Sequence, residues 1–496
     1  MWAPTGLAHR APQRLLPDTR RVISRLFVPG QEGFETQESR TGPVLQRILA
    51  LSDEEVREAL RDLVTHFAGR HRDLYDTWRI HADELADRLD SSHALSESRM
   101  LLLGATFTNE YAIEGAALCN PSMVAHPNQD GVAPGSLRFV MSVRGIGEGH
   151  RSSIGFRTGV VDARGSCTID VPVAFASTGH FEHTLLDAEV LRAELRRRDC
   201  AGEATDYIFA TLDQRFTPAD LDERLDSLRA HMSTRGHAVG TIDSVREVAK
   251  RFYAIVFGAS TTLSERVLWP AIDAESVGME DARFVRFIDD AGEATYYATY
   301  TAYSGSVISQ QLLQTEDFQT FTSTPMAGRA AANKGLALFP RLINGRFAAM
   351  SRSDRETNTV AFADHPAVWT SASPCQQPVE TWETVQLGNC GPPIETDAGW
   401  LVLTHGVGPM RTYSIGAILL DLDDPTRVIG RLRRPLLAPA DDERHGYVPN
   451  VVYSCGALVH AGTLVMPYGI CDSAIGVATV PLQDLLDEMF SDGRVD

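Results

Sequence analysis

Gly278-Met279-Glu280-Asp281-Ala282-Arg283-Phe284, followed closely by Tyr300-Thr301-Ala302-Tyr303-Ser304-Gly305, sets two acids and an arginine among apolar residues just before a strand-like run. Burying a lone carboxylate is costly, so charges in such a setting are paired or perform chemistry. Neighbouring side chains on a strand point to opposite faces. One of Glu280 and Asp281 can therefore face a pocket while the other pairs with an arginine. A carboxyl in a partly dry pocket is expected to have a raised pKa and to serve as a general acid near neutral pH. The competing reading is a structural Glu–Arg pair at a strand end.

The same texture extends outward from this stretch. From about Met100, short β-rich runs recur between Gly, Asn, Asp and Pro turns: Leu137–Val143, Thr295–Thr301, Arg346–Ser351, Trp400–Thr404, Ser414–Leu420 and Thr463–Pro467. Many short strands at regular spacing predict a mainly β fold, as a sandwich, barrel or propeller. Residues 184–256 interrupt it with helical patterning, including Ala219–Met232 behind a Thr217-Pro218 start and Ile242–Phe252. Because β texture resumes afterwards, this reads as a helical insertion and not as a separate domain. Residues 1–20 read as a loose lead. Ser52 and Glu55 form a capping box ahead of Val56, Leu60, Leu63, Val64 and Phe67 at helical spacing, and a second helix is expected over Asp73–Leu89. The expected organisation is an N-terminal α-helical region over 1–99 and a β domain over 100–490.

The chain has 496 residues, 43% of them hydrophobic and 22% charged, as in an ordinary globular protein. With Lys plus Arg at 46 and Asp plus Glu at 65, the net charge is −19. Nucleic acid and anionic membranes need a basic face, so neither is expected as a partner. The balance favours a neutral ligand, and any anion site must be locally basic against the overall field. Seven widely spaced cysteines without a CxxC read as reduced thiols rather than a disulfide framework or zinc knuckle. No segment has the length and apolarity of a signal peptide or membrane helix, and the protein is expected to be cytoplasmic. No Walker loop, GxSxG or HExxH occurs, and no cluster has metal-ligand spacing.

Other clusters carry chemistry. Asn120, in Asn120-Pro121-Ser122, offers an amide to sugar hydroxyls. Arg144 ends an apolar strand, where a buried guanidinium meets an anion or a carboxylate. Lys334 opens the apolar run to Pro340 and Arg352 closes its hairpin partner, so two cations at neighbouring strand ends make an anion site, or else ordinary solvated strand ends. His405 sits between an apolar strand and Gly406, placed to reach a cavity, although such a histidine is more often a hydrogen-bonded core residue. Asp472, behind Tyr468-Gly469, can accept two hydrogen bonds from sugar hydroxyls. Asp423-Asp424-Pro425 is turn chemistry.

In this order the motifs resemble glycoside hydrolase family 130, the β-mannoside phosphorylases and related β-mannosidases, from roughly Thr108 to Gly476. Asn120-Pro121, Arg144, Gly278-x-Glu280-Asp281-x-Arg283, Tyr300-Thr301-Ala302-Tyr303, Lys334, Leu338-Phe339-Pro340, Pro392-Pro393-Ile394, His405-Gly406-Val407 and Tyr468-Gly469 carry the likeness. The resemblance implies a five-bladed β-propeller with its site in the central funnel, and inversion at a terminal β-linked mannose. Asp281 matches the family's general acid, whose proton reaches the glycosidic oxygen through a substrate hydroxyl. Inorganic phosphate, the co-substrate, then attacks C1 from the opposite face and releases α-mannose 1-phosphate. Arg144, Lys334, Arg352 and His405 match phosphate-holding positions; Asn120, Glu280, Arg283, Tyr303 and Asp472 fall at the substrate. No cofactor or metal is implied.

Two departures stand out: Ala282 replaces a usual proline, and Gln386 replaces a lysine that helps bind phosphate. An inverting hydrolase would need a second carboxylate to activate water, and Glu148, Glu383 and Glu395 are candidates. The reading is a phosphorylase of short β-mannosides, β-1,2-linked in the long-chain branch. An exo-β-mannosidase of the same fold and a non-catalytic glycan-binding propeller are the alternatives. The helical parts build a homo-oligomer interface or wall the funnel.

Overall fold

In the computed structural model, residues 3–28, 41–86, 95–231 and 236–493 are described, and the chain forms two compact units. The smaller comprises Asp18–Gly115 with Val173–Ser177. Its helices are Thr41–Ala50, Asp53–Phe67, Leu74–Ala86 and Glu97–Thr106. The capping box forms as read: the Ser52 hydroxyl accepts the Glu55 amide at 3.3 Å, and the Glu55 carboxylate accepts the Ser52 amide at 2.7 Å. Leu74–Ala86 and Glu97–Thr106 approach so closely that a Cβ on Gly104 would lie 1.7 Å from the Trp78 carbonyl oxygen. The last helix runs through the boundary expected near residue 100, because Leu102, Leu103 and Phe107 close the core over Ile48, Val56 and Leu85. The region is not purely helical, since Val22–Leu26 pairs antiparallel with Thr108–Ala112. Residues 87–89 of the second expected helix, and Met232 of a later one, lie outside the described residues.

The larger unit, Met1–Pro17, Ala116–Pro172 and Thr178–Asp496, is mainly β. Its strands form antiparallel groups in chain order. Ala117–Ala125, Leu137–Ile146 and Ser152–Val161 make the first. Gly278–Ile288, Ala294–Tyr303, Ile308–Thr315 and Thr320–Pro325 make the second, joined to the first through a single parallel pair, Gly278 with Ser152. Ala337–Leu338 through Ala372–Gln376, Gln386–Asn389 through Val428–Arg431, and Val452–Tyr453 through Ala474–Pro481 make three more. The lead read as loose is a strand at His9–Leu15, which pairs with Ala474–Pro481 and so ties the chain's start to its last hairpin. A C-terminal helix, Leu482–Gly493, follows that hairpin and was not signalled as such in the sequence reading.

The insertion forms helices Ala188–Arg197, Glu203–Phe209, Pro218–His231 and Gly236–Ala249. Asp187 caps the first by accepting the Glu189 and Val190 amides. Leu191, Leu195, Leu225, Leu228, Val245 and Val248 share one core with Val285, Leu312 and Leu336 of the sheets, so the helices cannot pack without the β domain. The buried guanidinium of Arg251 fixes this junction: it donates to Glu194 at 2.9 Å and to the Gln310 carbonyl and Gln311 amide oxygens. Removing the acid strands a buried cation. Glu194→Ala is expected to lower stability by about 3–5 kcal/mol, read as a fall in the urea midpoint. An unchanged midpoint would show that water reaches Arg251.

Candidate active site

A cavity of about 290 Å³ opens where the groups of strands converge. It gathers most of the residues singled out in the sequence: Asn120, Arg144, Asp281, Lys334, Arg352, His405 and Asp472. They lie in or beside five different antiparallel groups, so tertiary packing unites them. A larger cavity, about 700 Å³, opens beside the helical insertion under Thr320, Thr322 and Thr324, and none of those site residues lines it.

Backbone irregularities aim two of these side chains. The register slips between Cys119 and Ser122 and again between Glu280 and Arg283, leaving a bulge in each strand. Asn120 and Asp281 sit in these bulges with φ of 46° and 54°. A bulge turns a side chain out of the strand's alternation, which is how Asp281 reaches the cavity beside a buried Glu280. The Asn120 amide oxygen accepts from the Cys119 thiol at 3.0 Å and from Arg144 at 3.4 Å. What Asn120 retains for a ligand is its NH₂ group.

Glu280 does not line the cavity but organises it from behind. One carboxylate oxygen accepts from Arg144 at 2.6 Å, and the other from Lys334 at 2.7 Å. Arg283 also lies behind. It donates to the Tyr453 hydroxyl at 2.7 Å and to the Asp281 carbonyl at 2.8 Å, with its guanidinium 3.8 Å from the Asp281 carboxylate. Tyr303, read as a substrate residue, is not among the lining residues; its hydroxyl donates to the Gly305 carbonyl.

Burial alone would raise the pKa of Asp281, but the surrounding charges of Arg283, Lys334, Arg144 and Arg352 outweigh it and hold the carboxyl below its usual range. This reverses the direction expected from a dry pocket, because the sequence could not show how many cations would face the same carboxylate. Asp472 goes the other way. Burial, reinforced by Asp281 and Glu280 and opposed by Arg144 and Arg411, raises its pKa to about 6.

His405 is stripped of charge: burial, then Arg352 and Arg283, push its pKa well below the ordinary value. One ring nitrogen, Nδ1, faces the Asn389 carbonyl at 3.2 Å, and the other, Nε2, faces Arg352 Nη1 at 3.0 Å. A carbonyl only accepts and a guanidinium only donates, so both bonds require the neutral Nδ1–H form. His405 therefore adds no cation and instead holds Arg352 in place. Gly388 makes room for this, since a Cβ there would lie 2.6 Å from the imidazole and 2.8 Å from the arginine Cδ.

The three glutamates considered as bases for a hydrolase are not among the lining residues. Glu383 is buried and accepts the Val379 and Glu380 amides. Glu395 pairs with Arg341 at 2.6 Å. Glu148 lies in the turn after Ile146. Sequence reasoning missed Arg411, Tyr413 and Tyr453, which do line the cavity. Their neighbourhoods in sequence are unremarkable, and only cross-strand pairing brings them in. Gln386 lines it as well. Among the described residues no group of three or more His, Cys, Asp or Glu side chains could hold a metal ion, and no helix is long and apolar enough to cross a membrane.

A mainly β scaffold here carries a carboxylate surrounded by cations in a small cavity. A family profile described as beta-1,4-mannooligosaccharide phosphorylase, glycoside hydrolase family 130, matches residues 254–490. The chain is 33% identical over 234 residues to a 1,2-beta-oligomannan phosphorylase of Thermoanaerobacter sp. strain X514, covering 45% of this chain and 75% of that one. It is 35% identical over 224 residues to a beta-1,2-mannobiose phosphorylase of the same organism, covering 43% and 70%. A solved structure of the Listeria innocua beta-1,2-mannobiose phosphorylase with β-1,2-mannobiose superimposes at a TM-score of 0.43 and 20% identity, over 76% of this chain and 93% of that one. The chain belongs to glycoside hydrolase family 130.

The opposite shifts of the two aspartates are open to measurement. In protein labelled with carboxyl-¹³C aspartate, one resonance is expected to titrate near pH 6 and to vanish in Asp472→Asn. A resonance assigned to Asp472 with a midpoint near 4, the ordinary value, would mean that the site is wetter than its burial implies.

Proposed function

We propose that this protein is an inverting phosphorylase of terminal β-linked mannosides, β-1,2-linked like the substrates for which the Thermoanaerobacter relatives are named, and that it forms α-mannose 1-phosphate. The observation that carries the reading is the company Asp281 keeps. Arg144, Lys334 and Arg352 line the same cavity, and among the described residues its one other lining carboxylate, Asp472, is assigned to the sugar's hydroxyls. Phosphate is already a nucleophile and needs positioning and charge neutralisation rather than a base. An inverting hydrolase needs a second carboxylate at about 6.5–9.5 Å from the acid. The antiparallel groups, five in chain order and tied by His9–Leu15 to the last hairpin, fit a five-bladed propeller, with the cavity at its centre.

Asp281 acts as general acid toward the glycosidic oxygen, while phosphate, held against Lys334 and Arg352, attacks C1 from the opposite face. The depressed pKa of Asp281 gives this arrangement an order. In the empty cavity the cations keep Asp281 ionised and unable to donate a proton. A phosphate dianion neutralises those cations and adds a like charge, and both changes raise the carboxyl's pKa. The nucleophile thereby helps to arm the acid. Asn120 and Asp472 hold the terminal sugar's hydroxyls.

The test is product analysis on β-1,2-mannobiose with and without inorganic phosphate. Mannose 1-phosphate that forms only with phosphate is the expected result; free mannose at equal rates in both would make the enzyme a hydrolase. No turnover of this or other β-linkages would leave a glycan-binding propeller. Asp281→Asn is expected to lower turnover by at least about a thousandfold while the folded protein still binds mannobiose; turnover within tenfold of the parent would remove Asp281 from the acid role.

A further inference from the structure

The charges around the cavity do not balance locally. Glu280 is used up by Arg144 and Lys334, and Arg283 is committed to Tyr453 and to Asp281. Among the described residues, the Arg352 guanidinium has only the neutral His405 as a hydrogen-bond partner. Arg411 also lines the cavity, and among the described residues its guanidinium makes no hydrogen bond or ion pair. Among the described residues, two guanidiniums therefore face one small cavity with no carboxylate in ion-pair contact, Arg352 acting on Asp281 and Arg411 on Asp472 only through space, in a protein whose net charge is −19. A surplus of this kind, against the overall field, is the complement of a dianion.

The backbone of Arg411 makes the same point independently. Three other lining residues, Asn120, Asp281 and Asp472, have φ of 46°, 54° and 49°. Asn and Asp tolerate the left-handed region because their short polar side chains can bond locally. Arg411 has φ of 53° and follows Met410 at 57°, and neither has that relief. The turn between Leu137–Ile146 and Ser152–Val161 has the same form, with Gly149, φ 65°, at its first left-handed position and His150, φ 59°, at its second, so the contrast lies at Met410. At 410–411 the chain keeps two long side chains in a strained conformation, which is where strain accompanies function. Met410 is 88% exposed, so apolar packing does not explain the turn.

We propose that Arg411 is the second arm of a phosphate clamp whose first arm is Arg352, reaching over the cavity mouth from the turn Pro409–Arg411. This rests on the phosphorylase reading and assigns that reading a residue the sequence did not offer. Arg352 is fixed from below by His405, whereas Arg411, exposed and unpaired, closes on the anion after it enters. A guanidinium is suited to this because its planar fork meets two phosphate oxygens at once.

Steady-state kinetics on Arg411→Ala, Arg411→Gly and Arg411→Lys separate the possibilities. Losing a charge-assisted contact should raise the KM for phosphate about tenfold or more in the Ala and Gly variants, with the KM for mannobiose within about twofold. The Lys variant should recover part of the loss. Gly relieves the turn, so its melting temperature should not fall although its phosphate KM rises; that combination separates charge from strain. An unchanged phosphate KM, or a rise confined to the mannobiose KM, overturns the clamp; the latter would make Arg411 a sugar contact. If the parent protein needs no phosphate for turnover, the phosphorylase reading fails first. Calorimetric titration with inorganic phosphate then decides Arg411 separately. Binding that weakens about tenfold in Arg411→Ala supports the clamp, equal binding by parent and variant overturns it, and no binding by the parent overturns both readings.

Discussion

The Glu280 carboxylate, held between Arg144 at 2.6 Å and Lys334 at 2.7 Å, is the interaction on which the site depends. It joins the strands Leu137–Ile146 and Gly278–Ile288 to the loop that precedes Ala337–Leu338, with one charge contributed by each. Such a cluster adds little net stability, because desolvation offsets the attraction. Its effect is positional. Two cations that would otherwise repel one another are fixed on either side of one acid, and Asp281, the next residue, is held within their field. Because a single carboxylate serves two cations, the cluster keeps a positive surplus, and that surplus makes an anion welcome in an acidic protein.

Geometry at the cavity is set by departures from regular strand structure. A regular strand would send Glu280 and Asp281 to opposite faces and keep one of them away from the chemistry. The bulge lets Glu280 organise the floor while Asp281 lines the cavity. Similar economy operates at Arg352, where a neutral histidine and a glycine without a side chain position a guanidinium that has no carboxylate partner. Among the described residues, the buried Nε atoms of Arg144, Arg283 and Arg352 have no hydrogen-bond partner. These guanidiniums are thus held in place by only part of their donor capacity.

Much of the architecture was legible because it follows from local rules. The β runs at 137–143, 295–301, 400–404 and 414–420 lie within observed strands, and the Ser52–Glu55 box and the Thr217 start sit at helix N-termini. The strand at His9–Leu15 was illegible, since the strand it pairs with, Ala474–Pro481, is at the other end of the chain. Tyr303 misled because its strand position suited the pocket while its hydroxyl found a nearer carbonyl. His405 was foreseen at the cavity, yet its role as a neutral support follows from two contacts on other strands.

The sequence by itself determined most of the element types, the family and the chemical identity of Asn120, Arg144, Asp281, Lys334, Arg352 and Asp472, because motif order and residue type are properties of the chain. Only the tertiary structure decided the sign of the Asp281 shift, the removal of charge from His405 and the arrival of Arg411 and Tyr453. Each of these depends on through-space distances between groups far apart in sequence. Electrostatic energy is a sum over such neighbours, and a linear string does not contain that sum.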